Sequence, residues 1–340
     1  MGYNVTMLTG ILMIVLFVFL IFPHELGHFV AARACGVQVN EFAFGMGPAL
    51  WKKQGKETLY SIRLIPIGGF CAMEGEDTEE SGDNPRAFNN KKWWQKIIIL
   101  LAGATMNIVI AILTLSIMNG IAGLATTTVE TVLADSPAAM AGLAPGDEIL
   151  SVNGQETDLL PDVAAAIQGE DPVEVTFLRD GQTQQATMTP VLSEDRYLIG
   201  VTAQVSHSPF LALREGALDT VRLTQYMFTA IKGLFTTPEG LSQVSGPVGM
   251  VSMVSDTSSY GWHYFLYLVA IISLNLAIFN LLPFPALDGG RIIFVIIRRI
   301  TGRVISDKVE ARVHAAGMVC LLALMLFATW NDIGRLFGFS

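Results

Sequence analysis

Four long apolar stretches divide the chain, and each is long enough to cross a bilayer as a helix. They cover residues 5–29, 97–124, 264–282 and 313–330, and about 20 apolar residues in a helix span the hydrocarbon core. The first stretch lacks the basic start and the small-residue cleavage site of a signal peptide, so we expect a retained helix. The pattern predicts about four transmembrane helices.

Between the second and third stretches, strand-like runs separated by Pro, Gly and Asp turn signals predict a small globular domain at about 126–203. The expected strands lie at 127–132, 148–152, 173–178 and 184–189. A short amphipathic helix is predicted at 160–168, with Thr157 or Asp158 as its N-cap. Residues 209–234 predict a further amphipathic helix, which would lie on the outer membrane surface.

The composition narrows the class of protein. Of the 340 residues, 51% are hydrophobic and only 15% are charged, which argues against an ordinary soluble enzyme. A net charge of −9 argues against nucleic acid as a partner, because nucleic-acid binders carry a basic patch. The three cysteines are far apart without CxxC spacing, so neither a disulfide framework nor a zinc-finger type of site is expected.

The charges are distributed unevenly, and this predicts an orientation. Residues 119–222 hold 15 acidic and four basic residues, a net charge of −11, which leaves +2 for the remainder. Basic residues are concentrated between the first and second spans and between the third and fourth. Because cytoplasmic loops are rich in Lys and Arg, these two connections should be cytoplasmic. Both termini and the acidic domain should then be extracytoplasmic.

The end of the first apolar stretch carries a metal-binding pattern, His24-Glu25-Leu26-Gly27-His28. On a helix, residues four apart share a face, so both imidazoles can bind one metal ion. Glu25 would then accept a proton from a water at the metal and later deliver it to the leaving amine. Ionisable groups at membrane depth are costly, which favours a functional role over a structural one.

A catalytic zinc ion needs three protein ligands and one open position, so a third ligand must lie elsewhere. His207 and His263 are expected at the outer side, whereas His314 is at the start of the fourth span. Asp288 is favoured, because it follows two helix-breaking prolines in the segment 280–290 at the depth expected for His24. Asp288 could also be the N-cap of a helix at 289–300, or do both, and His314 remains the competing ligand.

Residues 136–154 resemble the signature of bacterial PDZ domains. The resemblance implies tight turns at Gly142 and Gly146, a turn fixed by Asp147, and core positions for Ile149 and Val152. A PDZ domain captures peptides by adding a strand beside a helix. Such a domain could instead act as a steric gate.

The HExxH motif in a first span, NxxPxPxLDGG in a later one and a PDZ signature between them resemble the site-2 protease family of intramembrane zinc metalloproteases. The bacterial regulator-of-sigma-E protease type matches over nearly the whole chain. Further segments that look like family elements are 41–48, 63–70, 92–97, 103–107 and 245–249. The resemblance implies that His24, His28 and Asp288 bind Zn²⁺ and that Glu25 activates water.

The resemblance also implies how a substrate is held. A strand at 58–67 followed by Gly68, Gly69 and Phe70 would form a membrane-associated hairpin whose edge pairs with the extended substrate, although an ordinary cytoplasmic hairpin is the alternative. Asn280 would position the substrate or support the zinc site. Asn107 would support the site or pack helices, and Gly103 would permit close helix packing.

The chain departs from the family pattern in two respects. The family's Gly-Pro at the start of GPxxN is Gly103-Ala104 here, which puts only the local helix geometry in doubt. In addition, residues 204–260 contain no second PDZ pattern.

We therefore predict a polytopic α-helical membrane protein with a membrane-associated β-hairpin region and an inserted extracytoplasmic PDZ domain of α+β type. The predicted segments are 1–124 with two spans, HExxH and the hairpin, 125–203 as the PDZ domain, 204–260 as an amphipathic linker, and 261–340 with two spans and the LDG motif.

The predicted function is zinc-dependent hydrolysis of peptide bonds in or near transmembrane segments of membrane-anchored proteins, such as anti-sigma factors or signal-peptide remnants. The site would lie in a bacterial inner membrane, toward the cytoplasm, with the lipid bilayer as the other partner. The alternatives are a non-catalytic PDZ membrane scaffold and a zinc transporter.

Overall fold

A computed structural model describes residues 7–76, 84–193, 196–236, 246–302 and 307–337. The described part of the chain consists of long apolar helices and three separate β-sheets. The elements, in chain order, are α1 Met7–Ala34, β1 Val39–Gln54, β2 Leu59–Met73, a 3₁₀ turn Phe88–Asn90, α2 Trp93–Ala122, β3 Leu124–Val132, α3 Pro137–Met140, β4 Glu148–Val152, β5 Gln155–Glu156, α4 Leu160–Ala166, β6 Val173–Arg179, β7 Gln182–Met188, β8 Val191–Ser193, β9 Arg196–Leu198, β10 Val201–Ser206, α5 Pro209–Thr236, α6 Pro247–Tyr260, α7 Trp262–Leu281, α8 Asp288–Thr301 and α9 Asp307–Phe337.

The chain divides into two compact units. We call Met1–Leu115 with Gly216–Ser340 the membrane unit and Ser116–Glu215 the inserted unit. Within the described residues, four helices are long and apolar enough to cross a membrane, namely α1, α2, α7 and most of α9. Each of the four predicted spans thus corresponds to a helix that could cross a membrane, and the protein is a multi-pass membrane protein.

The first span is longer than its apolar run, because α1 continues through the polar HExxH motif to Ala34. Pro23 lies inside this helix and cannot donate a backbone hydrogen bond. Leu16 and Leu20 of α1 are buried in a core with Val254 of α6 and with Leu268 and Val269 of α7. The metal-binding motif is therefore on a helix that is packed within the membrane unit.

The hairpin of β1 and β2 is more irregular and longer than predicted. Residues 41–44 of β1 pair with residues 69–72 on one side and with residues 59–62 on the other. The predicted strand 58–67 was too short, because β2 continues through Gly68 to Met73. Gly68 has φ +86°, a backbone conformation that favours glycine, and this lets the strand continue past the irregularity. Residues 69–73 form an edge segment of this sheet.

Asp332, on α9, connects two helices of the membrane unit. Its buried carboxylate accepts hydrogen bonds from the N–H groups of Gly246 and Gly249, each at 2.8 Å, at the start of α6. A carboxylate at a helix N-terminus satisfies backbone donors that the helix itself leaves unpaired. These contacts involve Gly246 and Gly249 of the segment 245–249 that resembles a family element. Ser245 lies outside the described residues.

The inserted unit contains a six-stranded sheet in the order β10-β3-β4-β6-β7, with β5 paired to β4, and a separate two-stranded sheet of β8 and β9. Its core includes Val129, Ile149, Val152, Val175 and Phe177. The four predicted strands are confirmed within a few residues, whereas β10 lacked a recognised pattern. Strand β10 pairs with β3 and continues to Ser206, so the predicted domain end at 203 falls inside a strand.

The predicted cap of the short helix was wrong. Leu159 is at the N-cap position of α4, and the Asp162 carboxylate accepts the Leu159 N–H at 2.9 Å. Asp158 instead forms an ion pair with Arg214, and the Thr157 hydroxyl donates to the Ile149 carbonyl. A carboxylate three residues into the helix thus replaces the side-chain cap that the sequence suggested.

Asp147 has the turn-fixing role that the PDZ resemblance implied. Its buried carboxylate accepts the Ala144 N–H at 2.8 Å and two hydrogen bonds from Arg179. Burial alone would raise the pKa of this carboxyl, but the bonds from Arg179 and Ala144 hold it below its ordinary value. The side chain therefore stays ionised and keeps the turn closed.

Candidate metal centre

Three side chains from two distant parts of the chain meet inside the membrane unit. His24 and His28 lie one turn apart on α1, and Asp288 is the first residue of α8. The two Nε2 atoms are 3.2 Å apart, and Asp288 Oδ2 lies 3.4 Å from His24 Nε2 and 3.3 Å from His28 Nε2. Both histidines are buried, and Asp288 is half-buried.

These distances fit a single ion. Zinc binds nitrogen and carboxylate oxygen at about 2.0–2.2 Å in a tetrahedron, whose ligand-to-ligand edges are then about 3.3–3.5 Å. Asp288 Oδ2 is buried and receives no hydrogen bond from any described residue, although it faces two imidazole nitrogens. A buried carboxylate oxygen without a donor is costly unless a cation satisfies it. The three ligand atoms thus suit a metal ion.

The histidine rings are oriented by groups on α2. His28 Nδ1 lies 2.8 Å from the Ile99 carbonyl, so Nδ1 carries the proton and donates it, leaving Nε2 as the ligand. The nitrogen Nδ2 of the fully buried Asn107 amide lies 3.3 Å from His24 Nδ1. With its oxygen and nitrogen exchanged, this amide would accept the His24 Nδ1–H through Oδ1, which has no partner among the described residues, and would likewise leave Nε2 for a metal. Asn107 is thereby placed at the site.

Two glycines allow α1 and α2 to approach at the site. A Cβ on Gly27 would collide with the Ala102 carbonyl. A Cβ on Gly103 would collide with His28 Nε2 and lie 2.8 Å from His24 Cε1. Gly103 therefore does more than pack helices, because it leaves the space that the metal-binding edges of both imidazoles occupy.

We expect Gly103→Ala to lower zinc content and peptidase activity, because the added methyl group must displace an imidazole; overpacking of this kind costs about 1–3 kcal/mol. The measurements are zinc per chain and thermal unfolding. Gly10→Ala, also in an apolar helix but with nothing within 4 Å of the added Cβ, is the matched control. Unchanged zinc affinity in Gly103→Ala would contradict this assignment.

The segment between α7 and α8 places Asp288. Leu287 is at the N-cap position of α8 with no side-chain cap, so the alternative of Asp288 as N-cap was wrong. Added Cβ atoms on Gly289 and Gly290 would collide with the carbonyls of Leu282 and Phe284, which explains the two glycines after the aspartate. The segment folds back over the start of α8, and this directs Asp288 toward α1.

The other histidines are elsewhere. His314 Nδ1 accepts the Ala286 N–H at 2.8 Å, so this side chain holds the segment before Asp288 and is not part of the ligand group. His207 contacts the Gly120 carbonyl within the inserted unit, and His263 stacks on Trp262. Asn280 lies half-buried in the last turn of α7, and no hydrogen bond joins its side chain to another described residue.

Glu25 faces the edge segment of β2. The Cys71 N–H donates a hydrogen bond to its carboxylate, and a Cβ on Gly69 would lie 3.1 Å from Glu25 Cγ. Burial raises the pKa of the Cys71 thiol, so this residue is a neutral side chain beside the site. Phe70 packs under the Arg63 guanidinium, at 4.8 Å from the ring centroid.

Sequence reasoning missed the backbone partners of the site, the Ile99 carbonyl and the Cys71 N–H. A backbone group has no residue-type signature, so no sequence pattern could have indicated either one. His314 was noticed, but as a competing ligand. Its hydrogen bond to Ala286 depends on the fold of the segment between α7 and α8.

The chain belongs to Peptidase family M50, whose family model matches residues 12–324. This confirms the resemblance to site-2 proteases and makes the protein a metalloprotease, a hydrolase, rather than a scaffold. The chain is similar to the regulator of sigma-W protease RasP of Bacillus subtilis, 31% identical over 97% of this chain and 99% of that one.

Two further proteins are similar to this chain. A Clostridium acetobutylicum protein, whose name describes it as a candidate zinc metalloprotease, is 34% identical over 95% of this chain and 96% of that one. The solved PDZ domain of an SdrC-like protein from Listeria monocytogenes is 24% identical over 24% of this chain and 86% of that chain, with a TM-score of 0.20.

Proposed function

We propose that the protein is a zinc-dependent intramembrane endopeptidase that cuts membrane-anchored proteins in or near their transmembrane segments. The observation that carries this proposal is the convergence of His24, His28 and Asp288 at 3.2–3.4 Å within a unit built of apolar helices. Zinc is the metal named for the relatives RasP of Geobacillus kaustophilus and the Clostridium acetobutylicum protein. Among the described residues this is the one such ligand group, which disfavours a transport path.

The residues divide the chemistry between them. His24, His28 and Asp288 would hold the ion, which when bound supplies Lewis acidity that lowers the pKa of a coordinated water to about 7 and polarises the scissile carbonyl. Glu25, one residue after His24, accepts the proton of the attacking water and delivers it to the amine as the peptide bond breaks. Ile99 and Asn107 keep both imidazoles in the orientation that exposes Nε2.

The hairpin edge would hold the substrate. An extended peptide must satisfy its backbone groups inside the membrane, and a free strand edge can do this. The N–H of Cys71 points at Glu25, and because outward and inward groups alternate along a strand, Gly69 presents its own backbone groups on the same side. A substrate strand added there would run past Glu25. The motif Gly68-Gly69-Phe70 and Asn280 are thus proposed to position substrate.

The hairpin is proposed to lie in the membrane. Its exposed large apolar side chains are Met46, Leu50, Trp51, Ile62, Leu64 and Ile65, each at least 47% exposed. Such a patch on a water-soluble surface would be an aggregation hazard, whereas lipid covers it without cost. This supports a membrane-associated hairpin over an ordinary cytoplasmic one.

The charge distribution supports the proposed orientation in a bacterial inner membrane. Basic residues concentrate on the connections between the first two and the last two spans, and the acidic residues on the inserted unit. The metal centre would then be near the cytoplasmic face, with both termini and the inserted unit outside. We further propose that the inserted unit is a PDZ domain that captures peptides, supported by its signature and by the Asp147 turn.

The proposal is tested with the purified full-length protein in lipid vesicles and a single-span anti-sigma factor as substrate. We expect cleavage that a strong zinc chelator abolishes and added Zn²⁺ restores, with the cut mapped by mass spectrometry to the membrane-spanning segment or its border. The matched control is the same substrate with its span replaced by a soluble linker. Chelator-resistant cleavage, or equal cleavage of the control, would contradict the proposal.

A further inference from the structure

An apolar cavity of about 410 Å³ lies between α1 and the hairpin, and neither the metal centre nor the substrate edge accounts for it. It is lined by Val18, Phe22, Phe42, Phe44, Trp51, Tyr60, Ser61 and Ile62. Cavities of about 300–1,000 Å³ with apolar walls are typical of small-molecule sites. Its lining is almost free of polar groups, so an occupant must be hydrocarbon.

The strand register defines one face of the hairpin. Trp51 pairs with Ile62, and Lys53 pairs with Tyr60, without a register shift between them. Paired residues share a face and alternate residues share it too, so Lys53 lies on the cavity face directly beyond Tyr60. Lys52 pairs with Ser61, whose hydroxyl donates to Glu41 on the opposite face, so the Lys52 side chain lies on that opposite face.

The end of the cavity toward the hairpin turn is basic. Lys53 and Lys56 are exposed, and neither forms an ion pair within the described part of the chain. The acid in the turn, Glu57, is bound to Arg86 through both oxygens, at 2.9 and 2.8 Å, and to Arg33 at 3.1 Å. Because Glu57 is already bound to two arginines, Lys53 and Lys56 leave a local excess of positive charge at this end.

This charge lies where a membrane surface would be. Arg33 is in the last turn of α1, and its contact with Glu57 fixes the turn at the end of that span. Deeper along the same helix, Phe29 contacts Tyr60, and Phe22 and Val18 line the cavity. Along the span, a basic rim is thus followed by an apolar slot, the order of a phospholipid's headgroup and acyl chain.

We propose that this cavity binds an anionic phospholipid, with one acyl chain between α1 and the hairpin and the phosphate held by Lys53 and Lys56. The bound lipid stabilises the hairpin whose other edge faces Glu25. The assignment goes beyond the proposed protease activity, and only the choice of the cytoplasmic leaflet depends on the proposed orientation. Anionic headgroups are abundant there and attract basic residues near the membrane surface.

The test is native mass spectrometry of the full-length protein in detergent, titrated with phosphatidylglycerol or with phosphatidylcholine of identical chains. We expect phosphatidylglycerol to bind at least about ten-fold more tightly, and Lys53→Gln to weaken it about five-fold. Lys52→Gln, one residue away on the opposite face, is the matched control and should change binding by less than about two-fold. Zinc content and thermal unfolding verify that each variant is folded.

A second variant tests the acyl slot independently of charge. Val18→Trp fills the cavity from α1 and is expected to weaken both lipids alike by about ten-fold while preserving their ratio. Equal binding of the two lipids, or equal effects of Lys52→Gln and Lys53→Gln, would overturn the proposal. So would a Val18→Trp protein that binds phosphatidylglycerol normally but cleaves a membrane substrate poorly, because the cavity would then accept substrate.

Discussion

Glu25→Gln is expected to abolish peptide-bond cleavage while the protein keeps its zinc. The amide cannot accept the proton of the attacking water, and general acid–base catalysis of this kind contributes about 10²- to 10⁴-fold. The substitution is nearly isosteric, and its amide oxygen can still accept the Cys71 N–H, so the hairpin edge should not move. The readouts are initial rates on a single-span substrate and zinc per chain by elemental analysis.

The control for this experiment is Glu130→Gln, which removes the same charge from an exposed position on β3. It should retain both activity and metal. Glu25→Gln in the membrane should also trap uncut substrate, which could be identified after purification of the complex. Full activity of Glu25→Gln would remove this residue from the mechanism, and loss of zinc with activity would show that the carboxylate holds the metal.

Asp288→Asn is expected to weaken zinc binding by at least about 100-fold. Removing a group that only hydrogen-bonds to a metal ligand already lowers metal affinity about 10- to 100-fold, and here a charged ligand itself is lost. The amide is a poorer ligand than the carboxylate, and it brings N–H donors that face two imidazole nitrogens. Chelator competition on the purified protein measures the change, and proteolytic activity should fall in parallel at limiting zinc.

His314→Gln is the matched comparison, because His314 was the competing third ligand. It contacts the segment before Asp288 through Ala286 but lies outside the ligand group, so zinc binding should fall far less than in Asp288→Asn. His263→Gln, on the far end of α7, should change nothing. Loss of zinc in His314→Gln together with retention in Asp288→Asn would reverse the assignment of the third ligand.

Features that depend on local pattern were predictable. Apolar length gave the four spans, and strand-like runs between Pro, Gly and Asp turn signals gave strands such as β4 and β6. Details that depend on distant partners were not. Asp162 replaced the expected cap of α4, and the pairing with residues 41–44 extended β2 well past Ile67. In each case a partner far along the chain, or a carboxylate one turn away, competed with the local preference.

By itself the sequence determined that this is a multi-pass membrane protein and that two histidines and a glutamate share one helix end, because length, apolarity and a spacing of four residues are local properties. It left the third ligand open between Asp288 and His314. Only the tertiary structure places Asp288, and not His314, beside both histidines, because a fold-back at Gly289 and Gly290 directs Asp288 toward α1, and Gly103 leaves room for both imidazoles. Buried polar side chains from distant parts of the chain can lie this close together only where glycines let the backbones approach each other.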